Sequence, residues 1–157
     1  MDNIRLLVKS EQDEPFLLQL YELNRQQEVS LWGWSEEQIK PFMTMQYHMQ
    51  QHYYAQQYAH SEYFIIMDRE TPIGKFQFDK AGSDWTIVDI AILPEYHNRG
   101  IGTWMIKQFL FEASQQNKAV QLSVLNTNPA RSLYERLGFQ VFDSGEVYTR
   151  MRVGGEG

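Results

Sequence analysis

The sequence predicts an α/β fold, a mixed sheet with helices packed against it. Three observations predict it. Stretches of apolar alternation and of helical spacing follow one another in the order β–α–α–β–β–β–α–β–α–β–β. Trp85 to Leu93 is a long, nearly continuous apolar run, which marks a strand buried on both faces at the centre of a sheet. The 157 residues show no internal repeat and no linker, so residues 1–153 are expected to form one domain around one core.

Taken in order, Ile4 to Val8 is a short apolar run that suits a first strand. Ser10 and Asp13 stand just ahead of Pro15, a helix-start signal, and Phe16, Leu20 and Leu23 follow at helical spacing. A loop carries Trp32, Gly33 and Trp34. Ser35 with Gln38 three residues on forms a capping box that starts a second helix. Pro41 lacks an N–H to donate, so a kink or a restart is expected there. Beyond it lie two apolar rows: Phe42, Met45, Met49 and Tyr53 in one, Met43, Tyr47, Tyr54 and Tyr58 in the other. One row suffices for the core, which leaves the tyrosine row to line a groove or to be buried on a second side.

Tyr63 to Met67 reads as a strand and Asp68 to Pro72 as a turn. In Ile73 to Asp79, Phe76 and Phe78 alternate with Lys75, Gln77 and Asp79, which predicts a hairpin partner with one buried face. Ala81 to Asp84 is a further turn before the central strand. Pro94 ends that strand, and Gly100 and Gly102 open a helix running to about Gln116. Val120 to Val124 is another strand. Asn128 and Pro129 start a helix that ends near Gly138. Phe139 to Phe142 and Val147 to Met151 make a closing hairpin, and the tail from Gly154 to Gly157 is expected to be disordered.

Composition bounds the function. Hydrophobic residues at 43% and charged residues at 22% are the proportions of an ordinary soluble globule. The net charge of −6 argues against nucleic acid as a partner and mildly favours amine-bearing substrates. The chain has no cysteine, which removes disulfides, thiolate nucleophiles and Cys-ligated zinc, and fits a reducing compartment. His48 and His52 stand four apart, yet the segment lacks the HExxH pattern, so it reads as a polar helix face and no metal is expected. No segment approaches about 18 uninterrupted apolar residues, so no membrane association is expected and the reading is a cytoplasmic protein.

The chemistry concentrates in VDIAILPEYHNRGIGTW, Val88 to Trp104. A strand running through a glycine turn into a helix presents unpaired N–H groups and the positive end of the helix dipole, a seat for an anion such as phosphate. A P-loop needs Gly-Lys-Ser/Thr, but Thr103 follows Gly102 directly. A dinucleotide fingerprint needs a third glycine where Met105 stands, and an acid about 20 residues on, near Gln121. What remains is a pyrophosphate at the turn, with the rest of its ligand extended along the preceding strand.

Here the sequence resembles the GNAT N-acetyltransferase superfamily. The family's cofactor loop is Arg/Gln-x-x-Gly-x-Gly/Ala, and this chain has His97-Asn98-Arg99-Gly100-Ile101-Gly102. Downstream, NPARSLYERLGF (Asn128 to Phe139) resembles the family's Asn…Ala…Leu-Tyr-Glu-x-x-Gly-Phe segment. The resemblance covers Val88 to Phe139 and implies a GNAT acyl-CoA N-acyltransferase fold with a mostly antiparallel, twisted sheet. It implies acetyl-CoA as co-substrate and no metal. Backbone groups of Ile90, Ala91 and Ile92 would pair with the pantetheine arm. Asn98 to Thr103 would hold the pyrophosphate by backbone N–H groups, and Asn128 and Tyr134 would reach the cofactor near its sulfur. His97 stands where the family has Arg or Gln, and the step from Asn128 to Tyr134 is one residue shorter than usual.

The chemistry asks for the same parts. An amine attacks a thioester carbonyl, an oxyanion develops, and a thiolate leaves. A strand N–H can stabilise the oxyanion. A tyrosine hydroxyl can protonate the thiolate, whose pKa resembles the ~8.5 of cysteine, and Tyr134 takes that role. A lysine-like amine is only about 0.1% neutral near pH 7.4, a deficit of roughly 4 kcal/mol, whereas an α-amine of pKa about 8 needs less help. The family often places a glutamate on the strand before the NPARSLY helix, where this chain has Ser123; Asp89, on the central strand, is the acidic candidate for the base. Trp32, Trp34, Tyr47 and Tyr54 would supply the acceptor wall, where a cation–π contact could hold a protonated amine. The expected enzyme works as a monomer or homodimer on a small-molecule amine or a protein N-terminus. The alternatives are a non-catalytic acyl-CoA sensor that has lost its base, and a dinucleotide oxidoreductase.

Overall fold

The computed structural model describes residues 1–155. Seven strands form one sheet in the order β1-β2-β3-β4-β5-β7-β6. They are β1 (Ile4–Val8), β2 (Glu62–Asp68), β3 (Thr71–Asp79), β4 (Trp85–Ile92), β5 (Ala119–Leu125), β6 (Gln140–Ser144) and β7 (Tyr148–Gly154). All neighbours are antiparallel except β4 and β5. The strand with the most continuous apolar run, β4, thus lies in the middle. β7 extends to Gly154, into the tail expected to be disordered, while residues 156–157 lie outside the described part.

Four helices cover the sheet: α1 (Glu14–Ser30), α2 (Glu36–Gln57), α3 (Ile101–Gln115) and α4 (Ala130–Arg136). α1 lies over β3 and β4, and α3 over β4 and β5. Alternation along β2 separates the two faces, since successive side chains point to opposite sides. Ile66 packs with Ile101, Met105, Ile106 and Phe109 of α3 and with Tyr134 of α4, whereas Ile65 and Met67 pack with Leu17 and Leu20 of α1 and Tyr47 of α2. On α3 the buried set Ile101, Met105, Phe109 and Ala113 recurs every four residues, the stripe that an amphipathic helix turns to a sheet.

Three expectations are corrected. α2 runs through Pro41, six residues after its N-cap Ser35, so no restart occurs. On the same helix it is the tyrosine row that turns inward: Met43 and Tyr47 are buried, while Met45, Met49 and Tyr53 are exposed. The third concerns β3, which is covered on both faces. Lys75 and Gln77, read as solvent-facing, are each only 4% exposed: Lys75 lies beside Tyr54 of α2 and Tyr63 of β2, and Gln77 Nε2 donates to Ser61 Oγ at 3.0 Å. On α1, Leu17 and Leu20 are core residues but Leu23 is exposed.

One ion pair pins the sheet where β4 and β5 meet. Arg152 of β7 reaches across β5 to Asp84, just before β4, with Nε–Oδ2 2.8 Å and Nη2–Oδ1 3.2 Å. Those hydrogen bonds hold the Asp84 carboxyl below its ordinary value of 3.8. A lowered folded-state value stabilises the fold above the unfolded-state pKa and loses that contribution as pH falls through the folded one. Asp84→Asn is therefore expected to lower the urea midpoint at neutral pH, with the gap to wild type narrowing below pH 3.8. A gap that stays constant with pH would rule out the carboxylate as its source.

Candidate active site

The parallel pairing of β4 with β5 is brief. It covers Trp85↔Val120, Thr86↔Gln121 and Ile87↔Leu122 and then stops. At the next residue β4 bulges: Asp89 faces Gln77 and Ile87 faces Phe78, so Val88 is the extra residue. From Val88 to Ile92 the strand keeps β3 on one side and has no strand partner on the other. An open strand edge is thus built into the middle of the sheet. Its polar groups follow from antiparallel alternation. Leu93 N donates to Ile73 O at 2.8 Å, which makes Ile92↔Gly74 and Ile90↔Phe76 the pairs not hydrogen-bonded to each other. The N–H and C=O of Ile90 and Ile92 therefore point to the open edge, while those of Ala91 are spent on Lys75 of β3. Close approach on the β3 side depends on Gly74, where a Cβ would lie 2.4 Å from Ala91 O.

The open edge runs straight into the glycine turn. Pro94 to Tyr96 form one short 3-10 turn, and α3 begins at Ile101 with Gly100 as its N-cap. Asn98 (φ 63°) and Gly100 (φ 77°) are left-handed on either side of Arg99. Alternating backbone hand of this kind gathers successive N–H groups into a concave nest for an anion. The Arg99 guanidinium lies 4.9 Å from the Tyr96 ring and adds positive charge beside the turn. Gly102 has ordinary backbone, and a Cβ there would meet only Ile92 Cδ1 at 3.6 Å. Among the described residues no contact requires a glycine at 102.

His97 Nε2 hydrogen-bonds Ile92 O at 2.7 Å, and Asn24 Nδ2 of α1 donates to the same oxygen at 3.1 Å. His97 thus braces the end of β4 rather than extending toward the turn. Asn24, which no sequence motif singles out, is its partner in this. Asn128 Oδ1 accepts from Ala130 N at 2.9 Å, so its carbonyl caps α4. Ser123 is exposed on β5 opposite Arg150.

Tyr134 comes from α4 and is 8% exposed, its ring edge-on to Phe139 at 5.7 Å. Burial, and then the negative charge of Asp89, push its hydroxyl up to about 12. That second cause puts Tyr134 and Asp89, from opposite ends of the predicted set, in one electrostatic neighbourhood. Asp89 Oδ2 is 2.8 Å from Lys75 Nζ, and its charge also raises the hydroxyls of Tyr54 and Tyr63, after burial as the larger cause. Lys75 lies 4.6 Å from the Tyr63 ring and 5.8 Å from that of Tyr54. Lys75 was missed by sequence reasoning because alternation with Phe76 and Phe78 made it look solvent-facing.

Of the expected acceptor wall, Tyr54 stands in this neighbourhood. Tyr47 does not line a wall: it is 2% exposed and its hydroxyl donates to Glu14 at 2.8 Å. Trp32 and Trp34 pack edge-on against each other and against Phe42 at 5.2–5.6 Å, tying the loop between α1 and α2 to the start of α2. Among the described residues no group of three His, Cys, Asp or Glu side chains is placed to hold a metal, and no helix is long and apolar enough to cross a membrane.

Comparison with known proteins bears on this arrangement. A ribosomal protein bS18-alanine N-acetyltransferase from Haemophilus influenzae is 34% identical over 71 residues, 45% of this chain; the match spans about half the length of that relative, 49%. Two solved structures share the fold over nearly all of both chains. PaiA N-acetyltransferase from Thermoplasma acidophilum in complex with coenzyme A has a TM-score of 0.71 at 18% identity, covering 96% of this chain and 98% of the other. The ribosomal-protein-S18-alanine N-acetyltransferase from Escherichia coli has a TM-score of 0.64 at 16% identity, covering 96% and 93%. The mostly antiparallel sheet expected from the sequence is thus the sheet of these acetyltransferases. The family model described as acetyltransferase (GNAT) domain matches residues 59–141, from β2 through the open strand, the glycine turn and α4 into β6. Carrying that match over more than half its length, the chain belongs to the GNAT acetyltransferase family.

Proposed function

We propose that this protein is an N-acetyltransferase that moves an acetyl group from acetyl-CoA to a primary amine, with the α-amine of a peptide N-terminus as the first candidate acceptor. The observation that carries the reading is the open edge of β4 leading directly into a glycine turn that no packing among the described residues explains. The outward N–H and C=O of Ile90 and the N–H of Ile92 would take the pantetheine amides as an added strand would, the Ile92 C=O being held by His97 and Asn24. Backbone N–H groups from Asn98 to Thr103, with Arg99 nearby, would hold the pyrophosphate. The backbone of Ala91 is spent on Lys75, and His97 acts through the Ile92 carbonyl.

Acetyl-CoA supplies a thioester, whose carbonyl carbon the amine attacks and whose sulfur departs. Asp89, directly or through water, takes the proton that makes an incoming ammonium nucleophilic. A backbone N–H at the β4 bulge faces the developing oxyanion. Tyr134 stays protonated to about pH 12 and donates a hydrogen bond to the sulfur as the C–S bond breaks, the thiolate then taking up one of the two protons lost by the amine through solvent. The N–C bond formed and the C–S bond broken leave an amide, a thiol and one proton released to solvent.

Two considerations favour the peptide α-amine. The curated relative is named for an alanine of a ribosomal protein. An α-amine of pKa about 8 also demands far less of a single carboxylate than a lysine-like amine near 10.4. The test is CoA-thiol release with a panel of N-terminal alanine and serine peptides, their Nα-blocked forms, polyamines and amino sugars. The free peptides are expected to give turnover and the blocked ones none. Acetyl-CoA binding without thiol release from any amine would instead favour the non-catalytic sensor, for which Ser123 in place of a glutamate is the supporting observation.

A further inference from the structure

Lys75 is a cation almost fully withdrawn from water in a chain whose other lysines lie at or near the surface. Its side chain is 6% exposed, against 25% for the Asp89 side chain it pairs with at 2.8 Å. The two stand on neighbouring strands, two residues apart in register and therefore on the same face of the sheet, since Asp89 faces Gln77 and Ala91 faces Lys75. The groups facing Asp89 come from four elements: Lys75 of β3, Tyr63 of β2, Tyr54 of α2 and Tyr134 of α4. Three are neutral phenols and one is a cation. Two tyrosine rings also lie beside the ammonium, Tyr63 at 4.6 Å and Tyr54 at 5.8 Å. A carboxylate on the stretch of β4 that β5 has left is thereby held at one oxygen, Oδ2, by a buried cation, while a quarter of its side chain stays exposed.

We propose that Lys75 is a positioning residue for acetyl transfer: it locks Oδ2 of Asp89 from beneath, so that the other carboxylate oxygen is presented, ionised, to the amine at the open edge of β4. This rests on the acetyltransferase reading and on Asp89 as the proton acceptor. Lys75 itself touches neither amine nor thioester. The step it serves is the transfer of one proton from the acceptor's ammonium to Asp89 and on to solvent, before the N–C bond forms.

A purely structural ion pair and a positioning pair differ in how their loss divides between turnover and binding. With Lys75→Met the Asp89 side chain keeps its place on β4 but loses the partner that fixes Oδ2. The kcat for acetyl transfer is expected to fall about tenfold, while the acetyl-CoA KM stays within about threefold of wild type. Lys75→Arg, which keeps a cation at this place, should recover most of the lost kcat. A Lys75→Met variant with wild-type kcat, or one in which kcat and acetyl-CoA affinity fall together, overturns the proposal. If Lys75→Met does not fold, Lys75→Gln, which keeps a polar end group, is read by the same split and overturns the proposal on the same outcomes. Wild type measured alongside separates the two claims: no acetyl transfer by wild type sinks the enzyme reading and this inference with it, whereas an active wild type with unchanged kcat in the variants sinks the inference alone.

Discussion

Tyr134→Phe is expected to lower kcat about 10²- to 10³-fold while leaving acetyl-CoA affinity within about threefold, because only a proton donor is removed. The ring stays, and with it the edge-on contact to Phe139 at 5.7 Å and the place in the core under α3. The sign of the pH effect follows from the site. Burial first, and Asp89 second, raise the hydroxyl to about 12, so it remains a donor throughout the working range. A thiolate with a pKa near 8.5 does not strip a proton from such a phenol at equilibrium. The hydroxyl instead donates a hydrogen bond that strengthens as charge collects on sulfur, which is the differential binding that raises kcat. No basic limb from Tyr134 is expected below about pH 12. The comparison is single-turnover acetyl transfer by the variant and wild type, with binding measured separately by calorimetry. A variant with wild-type turnover would remove Tyr134 from the mechanism.

The second large effect is at Gly102, where stability and binding are expected to move in opposite directions. In the protein alone a methyl group there meets only Ile92 Cδ1 at 3.6 Å, and the residue lies in the first turn of α3. Gly102→Ala should therefore leave the fold as stable as wild type or stabilise it by up to about 1 kcal/mol, since alanine gives up less entropy in a helix. Yet the added carbon stands where the pyrophosphate must approach the N–H groups. Overpacking of that kind costs about 1–3 kcal/mol, or roughly 5- to 150-fold in the acetyl-CoA dissociation constant, and Gly102→Val should cost more than Gly102→Ala. Thermal unfolding and calorimetry on the same samples read both quantities. Weakened binding with a matching loss of stability would point to a damaged fold instead of a blocked seat.

What was legible in the sequence was local and periodic. The apolar run from Trp85 and the glycines at 100 and 102 announce the central strand, its turn and the following helix, and β4 and α3 lie where that pattern puts them. Asn128–Pro129 and Gly138 likewise bracket α4. What was hidden depends on which element covers which. Lys75 and Gln77 alternate with phenylalanines as solvent-facing residues do, and only the tertiary neighbours, Tyr54 and Tyr63 beside Lys75 and Ser61 bonded to Gln77, show that water is excluded there. The two apolar rows of α2 could not be ranked either, because either row could have met the sheet; the packing turns Met43 and Tyr47 inward and leaves Met45 and Met49 out. Pro41 lies early enough in α2 that the lost hydrogen bond leaves the helix continuous.

The same distinction holds within the site. Tyr134 and the turn could be named from a motif, but the opening between β4 and β5, which makes room for a ligand arm, is a matter of register. Pairing that ends at Ile87↔Leu122, followed by a bulge at Val88, has no signature in residue type. Nor does the bracing of Ile92 O by Asn24 and His97, which joins residues 68 and 5 positions from it in the chain.

The most direct test of the account is a titration of the wild-type protein with acetyl-CoA by calorimetry, with CoA, 3′-phosphoadenosine 5′-diphosphate and NAD as comparison ligands. The account predicts one acetyl-CoA site per chain, competition by CoA and by the 3′-phosphoadenosine 5′-diphosphate portion, and no binding of NAD at the same site. Binding of NAD without acetyl-CoA, or acetyl-CoA affinity unchanged by Gly102→Val, would contradict it.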